Sequence, residues 1–77
     1  MSQLITLTGL EPGEKAVVKE LRTTGSMRRR LLDIGLIENT PVECLGRSPR
    51  GDPSAYLIRG AVIAIRSEDS ATILLGI

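Results

Sequence analysis

Residues 54–59 (Ser-Ala-Tyr-Leu-Ile-Arg) and 61–66 (Ala-Val-Ile-Ala-Ile-Arg) are two strand-length stretches with Gly60 alone between them. A connection this short joins antiparallel neighbours, because a parallel return needs a crossover of a dozen residues or more. In the second stretch Ile63 and Ile65 share a face with Ala61, which leaves Val62 and Ala64 on the other. A chain committed to such a pair must be built largely of sheet.

The rest of the chain extends the pattern. Glu11-Pro12-Gly13-Glu14 is a turn signal, and the β-branched pair Val17-Val18 between charged residues suits a strand from about Glu14 to Leu21. Leu4-Ile5-Thr6-Leu7 alternates weakly, as a short edge piece would. Pro41 to Arg47 reads as a strand that starts at its proline, where no ladder bond is lost. A single turn at Ser67-Glu68-Asp69-Ser70 precedes a last strand, Thr72 to Leu75. One helix interrupts the strands, with Ser26 as its expected N-cap and Gly35 as its stop. At 100° per residue Met27, Leu31 and Ile34 form one face, Arg29 and Asp33 lie opposite, and Arg28 and Leu32 run along a flank. The expected architecture is mainly β. It is a small five-stranded antiparallel barrel, bent shut to remove its edges, with one short helix over about residues 27–34, in a single domain spanning 1–77. At this length only about 60% of the unfolded chain's surface can be buried, so there is room for one core.

What is missing narrows function. The chain has no histidine and one cysteine, Cys44. A tetrahedral zinc site or facial iron triad therefore cannot be assembled from one chain, and neither can a Ser-His or Cys-His nucleophile. No metal, no cofactor and no catalytic residues are expected, and the chain is not read as an enzyme. One cysteine makes no internal disulfide, which fits a cytoplasmic location. Met1-Ser2-Gln3-Leu4-Ile5-Thr6 lacks a signal-peptide pattern, and no window nears the roughly 18 apolar residues of a membrane span, so no membrane insertion is expected. Ten Lys and Arg against nine Asp and Glu give a net charge of +1, so nothing in the whole-molecule field draws nucleic acid. Tyr56 is the sole aromatic, which cannot line a proline-peptide groove or stack bases. Nothing specifies an oligomer, and a monomer is expected.

The order of motifs resembles the FeoA family, small cytoplasmic proteins of bacterial ferrous-iron uptake with an SH3-like barrel. The resemblance runs through Leu10-Glu11-Pro12-Gly13, Arg29-Arg30-Leu31-Leu32-Asp33-Ile34-Gly35-Leu36, Ser48-Pro49-Arg50-Gly51-Asp52-Pro53, Ile63-Ala64-Ile65-Arg66 and Ile73. Where the family usually has Pro-Gly-Thr, this chain has Glu38-Asn39-Thr40, and asparagine tolerates the positive φ that the glycine would supply. The resemblance implies a noncatalytic accessory protein that contacts the cytoplasmic part of a membrane ferrous-iron permease with a GTP-binding domain.

The candidate contact residues are Arg28, Arg29, Arg30, Leu32 and Leu36. Met27-Arg28-Arg29-Arg30 is the one charge run, and with Arg22 it crowds cations at a helix start, against the macrodipole. Pairing of Arg29 with Asp33 is one relief and an acidic or phosphorylated partner another. Leu32 lies off the apolar stripe and Leu36 follows the stop, so the two are either a docking pair or buried. A regulatory nucleic-acid-binding or repressor-associated module using Arg22 and Arg28 to Arg30 is the competing reading. The adhesion-like tripeptide Arg50-Gly51-Asp52 is read as structure. Pro49, Gly51, Asp52 and Pro53 are the residues a fixed turn between strands demands, with the Asp52 carboxylate free to take backbone N–H groups.

Overall fold

The computed structural model describes residues 4–76, so the expectations drawn from Met1, Ser2 and Gln3 lie outside the described residues. Six strands form one antiparallel sheet: β1 (Leu4–Thr6), β2 (Lys15–Leu21), β3 (Pro41–Arg47), β4 (Ser54–Ile58), β5 (Ala61–Ile65) and β6 (Ile73–Gly76), in the spatial order β1-β6-β2-β3-β4-β5. The sixth strand relative to expectation is β1, the weakly alternating edge piece, whose Leu4, Ile5 and Thr6 pair with Gly76, Leu75 and Leu74. Helix α1 (Gly25–Asp33) joins β2 to β3, and a short helical turn α2 (Ser67–Ser70) joins β5 to β6.

The sheet bends where its ladders slip. Register shifts fall between Val18 and Glu20 in β2 and between Cys44 and Gly46 in β3, and an unpaired residue at such a bulge increases local twist. The inner face so formed holds Val18, Val42, Cys44, Tyr56, Ile58, Ile63, Ile65, Ile73 and Leu75, with Leu7, Leu10, Leu31 and Leu36 packed on them from the connections. Among the described residues no ladder joins β1 to β5, and β5 pairs with β4 alone.

The β4–β5 connection is a two-residue loop. Arg59 and Gly60 have φ of 50° and 81°, the positive values that a tight antiparallel hairpin requires, so Arg59 belongs to the turn and not to the strand. A bulky residue resists such a φ. Here the Arg59 Nε–H donates to the Gly35 carbonyl at 2.8 Å and anchors the loop to the end of α1.

Candidate functional site

The helix start differs from expectation. The N-cap position is Thr24, Ser26 lies within the first turn, and no side-chain oxygen caps the free N–H groups. The first turn carries no acidic residue either. The arginines that follow are used unequally. Arg28 turns back along the chain, and its Nη1 donates to the carbonyls of Leu21 (2.8 Å) and Thr23 (3.3 Å), tying α1 to the end of β2. Arg22 is held by Glu20, with Nε to Oε2 at 2.6 Å, and the bond and charge of that carboxylate raise the Arg22 pKa. Glu20 therefore offsets one of the cations near the helix start. Arg29 and Arg30 make no ion pair or side-chain hydrogen bond among the described residues. The expected Arg29–Asp33 pair does not form; both residues are exposed.

The two leucines part company. Leu32 is 42% exposed and lines a shallow depression with Gly25, Arg28, Arg29 and Asp33. Leu36 is 0% exposed and is withdrawn as a contact residue. Its burial follows from the helix stop. Gly35 takes φ 91°, the Gly35 N–H donates to Leu32 O (3.0 Å), and the Leu36 N–H donates to Leu31 O (2.9 Å). This is a Schellman ending, which folds the second residue past the helix onto the residue five before it, here the buried Leu31. Gly35 is further constrained by Arg59, whose Cδ and Nε would lie 2.7 Å from a Cβ at that position.

Ile37, 54% exposed, stands just beyond this turn and was missed by the sequence reading. The local signal was available, since the helix stop sends one of two adjacent apolar residues inward and the next outward. Thr40 fixes the turn: its hydroxyl donates to Gly35 O and accepts from the Ile37 N–H, both at 3.1 Å, while Asn39 takes φ 73°. The exposed face of α1 and its exit thus offers Arg29, Arg30, Leu32 and Ile37.

The Arg50-Gly51-Asp52 loop has a different role. Gly51 has φ 85°, and its N–H donates to Ser48 O at 2.8 Å. Asp52 reaches across the fold, its Oδ1 accepting the Ser67 N–H at 2.8 Å and its Oδ2 facing the Ser67 hydroxyl at 3.4 Å. The carboxylate therefore sits at the start of α2. Among the described residues no three Cys, Asp or Glu side chains gather as metal ligands, and no helix is long and apolar enough to cross a membrane.

Comparison with known proteins bears on what this surface serves. The FeoA domain model matches residues 5–75, nearly all of the chain. The chain belongs to the FeoA family. A curated relative in Porphyromonas gingivalis, a fusion of Fe(2+) transport protein A with the Fe(2+) transporter FeoB, is 30% identical over 67 residues. That match covers 87% of this chain but 8% of the relative. The solution structure of FeoA from Chlorobium tepidum superposes with a TM-score of 0.88 at 29% identity, covering 95% of this chain and 70% of that one. The zinc complex of Stenotrophomonas maltophilia FeoA, described as a procaryotic SH3 domain protein, superposes with a TM-score of 0.80 at 21% identity, covering 92% and 88%. The fold is accordingly SH3-like, and the family is linked to ferrous-iron transport.

Proposed function

We propose that this FeoA-family chain is a noncatalytic accessory protein that works at the cytoplasmic side of a ferrous-iron permease. It docks through the outer face of α1, with Arg29, Arg30 and Leu32 at the contact and Arg28 holding the helix in place. The observation that carries the reading is the Porphyromonas gingivalis relative, in which a segment similar to this chain is covalently part of a FeoB transporter. Covalent joining raises the local concentration of one module beside the other, which is useful where the two touch.

The chemistry of the helix face is consistent with such contact. The Arg29 guanidinium, without an ion pair among the described residues, lines one depression with the exposed Leu32 and combines electrostatic steering with an apolar anchor. The sole aromatic, Tyr56, is buried, its hydroxyl donating to Leu7 O at 3.4 Å, so the described surface presents no ring for base stacking or for a proline-rich ligand. Docking regulates transport if the module binds two states of the permease, in its GTP-binding domain or its pore-gating region, with unequal affinity.

Titration of isotope-labelled protein with the permease in detergent, and separately with its soluble GTP-binding domain, tests the reading. Amide shifts should cluster on residues 25–37, and Leu32→Asp should weaken binding tenfold or more without altering the fold. Silence toward both targets at high micromolar concentration overturns it.

A further inference from the structure

A depression of about 520 Å³ lies where the turn that follows α1 meets the β4–β5 hairpin. It is of the size that holds a small ligand or a few residues of a peptide. In the register of the sheet Lys15, Glu43, Leu57 and Val62 stand side by side across β2, β3, β4 and β5, and the first three line the depression. Pro41, exposed, and Leu57, half-buried, give it an apolar lining.

Two backbone outliers border the same space. Among the described residues the non-glycine positions with positive φ are Asn39, at 73°, and Arg59, at 50°, and both line this depression. Asparagine takes such a value readily, whereas arginine does so at a cost that glycine would avoid. Costs of this kind collect at binding sites. Glycine would close the hairpin equally well, so what Arg59 adds is its side chain. Its Nε is held on the Gly35 carbonyl at 2.8 Å, while Nη1 and Nη2 make no hydrogen bond or ion pair among the described residues. The guanidinium is therefore placed in advance, with two donor groups to spare.

The charges select the occupant. Glu43 faces Lys15 at 4.0 Å, so that cross-strand pair answers itself. Glu38, exposed, has no ion pair among the described residues, and neither has Arg59. What remains is one charge of each sign and an apolar lining in a single depression. A polyanion would meet two carboxylates there, and a fatty chain would leave both free charges unanswered. A polypeptide segment brings an acid, a base and an apolar side chain together.

We propose that this depression binds an extended segment of a protein partner in which an apolar side chain stands between an acidic and a basic one. The partner's carboxylate takes the spare Nη groups of Arg59, its apolar side chain lies on Leu57 and Pro41, and its cation faces Glu38. The depression meets α1 only at the helix exit, through the Arg59–Gly35 bond, and shares no lining residue with the one beside Leu32. The inference therefore does not rest on docking at the helix face.

The probe is the peptide acetyl-Glu-Ser-Leu-Ser-Lys-amide, titrated into isotope-labelled protein. Saturable binding at or below about 1 mM is expected, with amide shifts centred on residues 38–43 and 57–60. Arg59→Gly keeps a residue that accepts the φ of the turn; it should weaken binding about fivefold or more and erase the preference for this peptide over its Gln-for-Glu version. Glu38→Lys, at an exposed position, should weaken the parent peptide, and a Glu-for-Lys peptide should bind Glu38→Lys better than it binds the unaltered protein. No saturable binding at that concentration, equal affinity for the Gln peptide, or failure of the charge swap overturns the proposal. So does loss of binding in Leu32→Asp, which would move the peptide to the helix face, or equal binding of free leucine, which would make the site one for a small zwitterion.

Discussion

Leu36 leaves the helix and still ends in the core, because two backbone hydrogen bonds and a glycine at φ 91° decide where the chain goes next. Hydrophobicity and spacing could not separate Leu36 from Leu32, since both are leucines outside the apolar stripe. The separation depends on the geometry of the helix stop, and only the Gly35-Leu36 pair hints at it. Truncation reads out the difference. Leu36→Ala should cost about 2–5 kcal/mol, the range for emptying a close-packed leucine site. Leu32→Ala, at a half-open position, should stay within about 1 kcal/mol, and urea unfolding followed by circular dichroism distinguishes them. Tyr56 makes a second prediction at this scale. Burial pushes its phenol above the ordinary value near 10, with a neighbouring thiol, Cys44, acting in the same sense. The folded chain therefore holds this proton more tightly than the unfolded chain. The corresponding stability is complete below about pH 10 and is lost as the pH rises through the folded value. Alkaline unfolding of the parent protein should thus steepen above pH 10, and Tyr56→Phe should lose that added steepness.

Elements were legible where local pattern and tertiary demand agreed. The strand Pro41–Arg47 and the inward face of β5 follow from alternation and turn residues, and burial of Leu31 with partial burial of Met27 and Ile34 follows from helical spacing. Contacts between distant segments were not legible. Asp52 and the start of α2 are 15 residues apart, and nothing in either segment names the other. Nor does a run of three arginines reveal that Arg28 is held by the carbonyls of Leu21 and Thr23 while its neighbours make no such bond among the described residues. The Asp52 contact yields a prediction about an element. A carboxylate at a helix start satisfies an orphan N–H and favours the dipole. Asp52→Ala should cost roughly 0.5–2 kcal/mol, with faster amide exchange at Ser67. Asp52→Asn, which keeps an acceptor, should recover much of the loss. Equal loss in both variants would mean that charge, and not the hydrogen bond, holds α2.

For the whole molecule the surfaces sort by chemistry. The helix face offers Arg29 beside the exposed Leu32, with Ile37 exposed at the helix exit, and the β3–β4–β5 face offers exposed Leu45 and Val62. Covalent fusion, as in the Porphyromonas gingivalis relative, discriminates a docking role from any other. A flexible tether supplies an effective concentration on the order of 1 mM for a short linker, so it restores binding weakened to the micromolar or high-micromolar range. Suppose the module acts by occupying the permease. Then Leu32→Asp should reduce ferrous-iron uptake when the two proteins are separate, and should recover most of it when the variant is fused to the permease through a Gly/Ser linker long enough to span the sites. If Arg29 and Arg30 steer that association, Arg29→Glu with Arg30→Glu should behave alike, with a loss that shrinks at higher salt. Uptake that stays low in the fused Leu32→Asp chain, despite crosslinking that reports an occupied site, would place Leu32 in a step after docking. The balance between these outcomes is read directly from iron uptake in cells lacking the native accessory protein.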